Sequence, residues 1–306
     1  MKKRLFILAI IIFISACSVE DELNLVDSES NNDEMGDEVT EDDHMHEFTG
    51  NADPEQDKKD TNEESEASNQ FSLNFDIDLS QYANESSEWG EFVSGVKTEL
   101  DTDEQVVALT FDACGGPYGS DIDEQLIEFL IDNDIPATLF INKTWIEANA
   151  DLFMELASNP LFQIENHGTE HVPLSIDGKE AWGIKGTSSH EEIVAEVVEN
   201  HQFITNLTGK EPTLFRSGTA FYDEVAVEIV NDLGVEVVNF NILGDAGGTY
   251  SSEQVKNALL GAQNGSIALL HMNQPNSGTA QGVIEAVPLL QEQGFEFVLL
   301  EDYDLK

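Results

Sequence analysis

Basic side chains are scarce in this 306-residue chain: 13 Lys and Arg stand against 61 Asp and Glu, for a formal net charge of −48. Residues 18–70 hold 20 acidic residues against two lysines, and residues 71–306 hold 41 against eight basic ones. The acidity therefore belongs to the foldable part as well as to its leader. Such a surface repels phosphate backbones, which excludes nucleic acid as a partner, and it disfavours direct docking on anionic lipid. Cysteine is nearly absent too. With only Cys17 and Cys114, no disulfide framework or disulfide partner is expected. Long hydrophobic runs are missing apart from residues 5–14, a stretch short for a bilayer span.

That run follows the basic Met1-Lys2-Lys3-Arg4 and leads into small residues and Cys17, the layout of a secretory signal peptide. Ile14-Ser15-Ala16-Cys17 resembles the lipobox of bacterial lipoproteins, whose processed cysteine carries lipid. The expectation is a signal peptide over 1–16, lipidation at Cys17, and an extracytoplasmic protein anchored to the cell membrane. Residues 18–87 are rich in Glu, Asp, Asn and Ser and poor in aromatics. They cannot bury enough apolar surface to offset their ordering entropy, so residues 17–87 read as the lipidated cysteine plus an acidic, self-repelling tether.

From residue 88 the pattern changes. Short β-branched runs at 106–111, 137–142, 162–166, 213–216, 235–240, 266–271 and 295–300 alternate with helical stretches at 123–132, 149–158, 189–207, 223–233, 252–262 and 279–293. About seven strands, each but the last followed by a helix, predict an α/β domain over 88–306 with a parallel sheet and right-handed crossovers. A barrel and an open doubly wound sheet both satisfy the pattern, and both place function at the C-terminal ends of the strands.

The candidate site residues fall at those ends. Asp112 follows the first strand, and a carboxylate there is costly unless paired or metal-bound. His167 and His171 follow the third, four residues apart, a spacing that lets two imidazoles share a metal. Arg216 ends the fourth strand and is the only arginine after residue 4, which suggests a planar bidentate role that lysine cannot fill. Asp245 lies beyond the fifth. His271 ends the sixth, where a neighbouring carboxylate would tune it as a general acid. Cys114 reads as a small buried residue at the rim.

These residues together resemble the polysaccharide deacetylases of carbohydrate esterase family four, related to the nodulation chitooligosaccharide deacetylase. Thr110-Phe111-Asp112-Ala113 is similar to the family's Thr-Phe-Asp-Asp, and His167-Gly168-Thr169-Glu170-His171 to its His-Ser/Thr-x-x-His motif. Three further motifs are resembled in order, the third in its arginine by Arg216, the fourth in its carboxylate by Asp245, and the fifth by Leu269-Leu270-His271 in its histidine. The resemblance implies a distorted parallel (β/α) barrel and a divalent metal, usually zinc, held by His167 and His171. The activity it implies is removal of N-acetyl, less often O-acetyl, groups from extracellular or cell-wall polysaccharide. It implies Asp112 as general base, His271 as general acid, and Asp245 and Arg216 as groups that orient them. Two departures stand out. Ala113 replaces the carboxylate that is normally the third ligand, so Asp112, Asp121, Asp123 or Cys114 would have to take its place. Gly218-Thr219-Ala220-Phe221 replaces the Pro-aromatic of the third motif. A metal-independent C–N hydrolase on the same fold and an inactive carbohydrate-binding lipoprotein are the alternative expectations.

Overall fold

The computed structural model describes Leu73 and residues 76–306, and among these residues are ten short strands and seven α-helices. Strand β1 (Val106–Ala113) leads to α1 (Glu124–Asp132), β2 (Ala137–Ile141), α2 (Lys143–Ala148), α3 (Ala150–Ser158) and β3 (Phe162–Asn166). A two-stranded hairpin follows, β4 (Glu180–Ala181) and β5 (Ile184–Lys185), then α4 (His190–Thr208), β6 (Leu214–Phe215) and α5 (Glu224–Asp232). The chain ends with β7 (Glu236–Val237), β8 (Ile242–Leu243), α6 (Ser252–Leu259), β9 (Ser266–His271), α7 (Thr279–Glu292) and β10 (Glu296–Phe297). The helix starts have local causes. Asp123, Ser189 and Asp223 each accept a backbone N–H of the first turn, and Ser251 with Gln254 forms a capping box.

The main sheet is parallel, in the order β7-β6-β3-β2-β1-β9-β8, with β10 pairing β1. Its two end strands, β7 and β8, are joined by only the four residues 238–241. A link of that length reaches at most roughly 18 Å, whereas seven flat strands would hold their outer edges roughly 29 Å apart. The sheet therefore has to curl, and the fold is the distorted (β/α) barrel rather than the open sheet. Residues 97–100 line the seam: the Lys97 N–H donates to Val237 O, the Asn239 N–H donates to Lys97 O, and Leu100 is fully buried.

Strand alternation sorts the two faces. On β1, Val107, Leu109, Phe111 and Ala113 pack outward with Leu126, Trp145, Val283 and Leu290 from the surrounding helices. Val106 and Ala108 point inward with Phe140, Leu214, Ile267 and Leu269. Every residue of β1 is buried, as expected for a parallel strand covered on both faces.

The sequence pattern marks most elements within a residue or two. Three differences are structural findings. The helix predicted at 149–158 is α3, and a further short helix, α2, precedes it, the two separated at Asn149 with φ −133°. The run at 235–240 forms a ladder only over Glu236–Val237 before the chain crosses the seam to β8. The hairpin β4–β5 arises in a stretch whose Gly and Trp content reads as irregular. Ordered packing also begins upstream of residue 88, since Tyr82 is buried and its hydroxyl donates to Asp232 Oδ2 at 2.7 Å. The signal segment, Cys17 and the tether up to residue 72 lie outside the described residues.

Candidate active site

The inward-facing register of β1 continues past its end. Positions 110, 112 and 114 share one face, and all three meet functional groups there. Arg216 leaves β6 fully buried and crosses the barrel interior, its guanidinium carbon 4.1 Å from the centroid of the Phe140 ring. Nη1 donates to Asp112 Oδ1 and to Thr110 Oγ1, each at 2.8 Å. Nε and Nη2 donate to the carbonyls of Val238 and Asn239 at 3.2 and 2.9 Å. Every nitrogen of the fork is used, which is the geometric reason for arginine at this position. Burial works to raise Asp112. The adjacent guanidinium outweighs it, with His167 and His271 beyond, and holds the carboxyl below its usual range.

Asp112 and His271 are paired directly across β1 and β9. Asp245, fully buried on the loop after β8, grips His271 twice: Oδ1 lies 2.8 Å from Nδ1 and Oδ2 accepts the His271 N–H at 2.7 Å. Thr279 Oγ1 donates to the same Oδ2 at 2.8 Å. Burial works against an imidazolium, but Asp245 overrides it and holds His271 well above the ordinary histidine value. Asp245 is lowered in turn: burial opposes, and the His271 charge and hydrogen bonds prevail.

His167 is buried with Nδ1 2.9 Å from the Arg216 carbonyl oxygen, so Nδ1 carries the proton and Nε2 presents a lone pair. That is the outer hydrogen bond a ligating histidine ordinarily makes. Nε2 faces Cys114 Sγ at 4.0 Å and Asp112 Oδ2 at 3.7 Å. His171 stands edge-on to His167, ring centroids 5.0 Å apart, and its Nε2 is buried without a hydrogen-bond partner. One donor atom each from Cys114, His167 and His171 falls within a mutual 4.8 Å. Burial disfavours a thiolate at Cys114, yet His171, with His167 and His271, brings the thiol well below its usual value. His171 is raised: burial lowers it, and Cys114 and Asp112 outweigh that.

The residues present fit a metal of zinc's character. An orphaned, buried imidazole nitrogen and a thiolate-prone sulfur converge with a third lone pair, and Cys and His are the donors zinc prefers. Among the expected third donors, Cys114 is the one grouped with both imidazoles. Asp123 caps α1 through Oδ1, accepting from the Leu126 N–H, and is not grouped with the imidazole and thiol donors. Asp112 is held through Oδ1 by Arg216. Ala113 points into the outer apolar layer, away from the imidazoles. Cys114 thus lies beside the two imidazoles, and strand alternation from Asp112 was the signal that could have placed it there.

Two further residues carry the site without a sequence motif. Glu196, buried on α4, accepts the backbone N–H groups of Thr169, Glu170 and Val172 at 3.1, 2.9 and 3.4 Å, clasping the loop between the two histidines. Burial pushes its carboxyl up to about 7 against those hydrogen bonds. Gly218 stands where the related motif has proline. A Cβ there would lie 2.4 Å from the His171 carbonyl carbon, so only glycine admits the His171 backbone, itself at φ +59°.

The polysaccharide deacetylase family model matches residues 99–238. A peptidoglycan-N-acetylglucosamine deacetylase of Listeria monocytogenes is 24% identical over 198 residues, 64% of this chain and 38% of that protein. This chain therefore spans well under half the length of that relative. Among solved structures, the family 4 carbohydrate esterase PdaA of Bacillus subtilis superposes with a TM-score of 0.57 at 19% identity, covering 72% of this chain and 97% of that one. A CE4 family pseudoenzyme from Bacillus anthracis superposes with a TM-score of 0.56 at 18% identity, covering 68% and 67%. At these identities the structures speak for the fold.

Proposed function

We propose, from the match of residues 99–238 to the polysaccharide deacetylase family model, that the chain is a metal-dependent hydrolase removing N-acetyl groups from an envelope or extracellular polysaccharide. The observation that supports this best is the convergence of three sets at one barrel mouth: Asp112 bound by Arg216, His271 bound by Asp245, and the Cys114, His167 and His171 donors. Cys114, His167 and His171 would hold zinc, which when bound supplies Lewis acidity toward the acetyl carbonyl and the attacking water.

The remaining chemistry belongs to side chains. Asp112, kept ionised by Arg216, accepts a proton from the attacking water through Oδ2. The water oxygen adds to the acetyl carbon, the C–N bond breaks, and His271 gives its Nε2 proton to the departing amine. Water and amide are consumed; acetate and free amine leave. An amine departs only once protonated, so a His271 held cationic by Asp245 suits an N-acetyl substrate.

Elemental analysis of purified protein, beside acetate release from N-acetylglucosamine polymers with and without chelator, tests the proposal. Stoichiometric zinc and chelator-sensitive release are expected; release without metal and indifferent to chelator would leave the metal-independent hydrolase. A carbohydrate-binding domain without turnover is the second reading, favoured by Ala113 at the position of a motif carboxylate. No acetate release from zinc-loaded protein would support it. The lipobox-like Ile14-Ser15-Ala16-Cys17 supports membrane anchoring. Replacing Cys17 with Ala should move the protein out of the membrane fraction, and firm retention would exclude lipidation there.

A further inference from the structure

The hairpin β4–β5 turns through two residues, Trp182 and Gly183, both with positive φ (55° and 82°). Such turns favour Asn-Gly or Gly-Gly, because a bulky side chain is strained in the left-handed region. Trp182 is also 77% exposed. It therefore accepts backbone strain without hiding its ring in the core. A strained, exposed aromatic of this kind points to use by a ligand.

The indole belongs to a row of rings. Trp182 meets Phe221 edge-on at 5.6 Å between centroids, and Phe221 meets Trp89 at 5.8 Å. Lys179 Nζ sits 5.7 Å from the centroid of the Trp89 ring. The row is built on segments that spring from the candidate active site. The chain runs on from Arg216 through a turn to Phe221, and Gly218 in that turn packs on His171. The Leu174 N–H donates to Phe221 O, and the Thr187 N–H donates to the carbonyl of Pro173, two residues after His171. The hairpin is thereby tied to the loop that holds the imidazoles.

We propose that Trp182, backed by Phe221 and Trp89, is a subsite platform that stacks on a pyranose ring of the glycan chain, next to the sugar whose acetyl group reaches the barrel mouth. The apolar C–H face of a pyranose covers an aromatic ring while its hydroxyls stay in water at the edges, which matches a ring 77% exposed that meets Phe221 near-perpendicular. The strongly acidic chain favours a neutral sugar over an anionic partner in this position. The nature of the ligand rests on the deacetylase reading; the platform itself rests on the strained, exposed ring.

The test compares the full-length parent with Trp182→Asn and Trp182→Phe. Binding of a β-1,4-linked N-acetylglucosamine pentamer and of the dimer is measured by calorimetry on chelated protein. Acetate release from both is measured after zinc loading. Trp182→Asn should weaken pentamer binding about tenfold and raise KM for the pentamer, with kcat and dimer turnover unchanged. It should also raise Tm, since asparagine suits the turn. Trp182→Phe should keep most of the affinity. Unchanged pentamer affinity in Trp182→Asn, a lowered Tm marking Trp182 as a structural clamp on Phe221, or a parent that binds the pentamer no better than the dimer overturns the platform. A parent that binds through Trp182 yet releases no acetate overturns the deacetylase reading and leaves the platform standing. An unchanged KM for acetate release from the pentamer in Trp182→Asn does the reverse.

Discussion

Arg216 Nη1 and Asp112 Oδ1 lie 2.8 Å apart in the barrel interior, with the arginine fully shielded from solvent and the aspartate nearly so. This pair fixes the position of the carboxylate on which the proposed chemistry depends. Removing one partner of such a pair leaves a buried charge uncompensated, at roughly 3–5 kcal/mol. Arg216→Met should lower unfolding free energy by about that amount in denaturant titration. Arg216→Lys keeps the charge but loses the fork, and should still lower kcat well over tenfold by releasing Asp112.

Cys114→Ser tests the third donor. The proposed set predicts weaker zinc binding by one to two orders of magnitude and, in cobalt-substituted protein, loss of the sulfur-to-metal charge-transfer absorption. An identical cobalt spectrum in parent and variant would remove Cys114 from the metal. Ala113→Asp should not strengthen metal binding. Its side chain enters the apolar layer with Trp145 and Leu126, and thermal melts should show destabilisation by a few kcal/mol.

Glu196 touches neither imidazole, yet it ties down the three backbone N–H groups between them. Glu196→Ala should reduce zinc affinity about 10- to 100-fold, the usual cost of losing an outer support, with the far-ultraviolet circular dichroism retained. Competition with a chromophoric chelator reads this directly.

The pH dependence of turnover should follow His271. Its value is raised because Asp245 outweighs the effect of burial, so the acid form persists through neutral pH and is lost on the alkaline side. Asp245→Asn removes the main cause. The alkaline limb of kcat should shift to lower pH and the maximum rate should fall; an unmoved limb would show that another group supplies the proton.

The segment before residue 88 contributes to the fold. Glu224 accepts from the Ser87 N–H and hydroxyl and from the Glu88 N–H. Slight burial opposes its ionisation, but these bonds dominate and hold it down to about 2. A lowered folded value means stability present above the unfolded value near 4.5 and lost as pH falls toward 2. Solvent screening limits this to about 1 kcal/mol. A chain beginning at residue 88 should unfold at a lower temperature than one beginning at residue 73, because it lacks Tyr82 and Ser87. Both should deacetylate at the same rate under conditions where they are folded.

The alternation of short apolar runs with helical stretches determined a parallel α/β domain, because a strand buried on both faces and a one-sided helix have different periods. The same pattern placed Asp112, His167, His171, Arg216, Asp245 and His271 at strand ends. Sequence alone left the barrel and the open sheet equally allowed; the four-residue link between β7 and β8 decided it, and its meaning appears only once those strands are known to be the two ends of the sheet. Sequence likewise presented Ala113 as a gap in the ligand set. The fold turned Ala113 toward the helices and the next residue, Cys114, toward the imidazoles, since a one-residue step along a strand reverses the face. Glu196 and Trp182 were silent in the sequence for a related reason. One acts through backbone N–H groups that carry no side-chain signature, and the other through a turn geometry that only the paired strands of the hairpin impose.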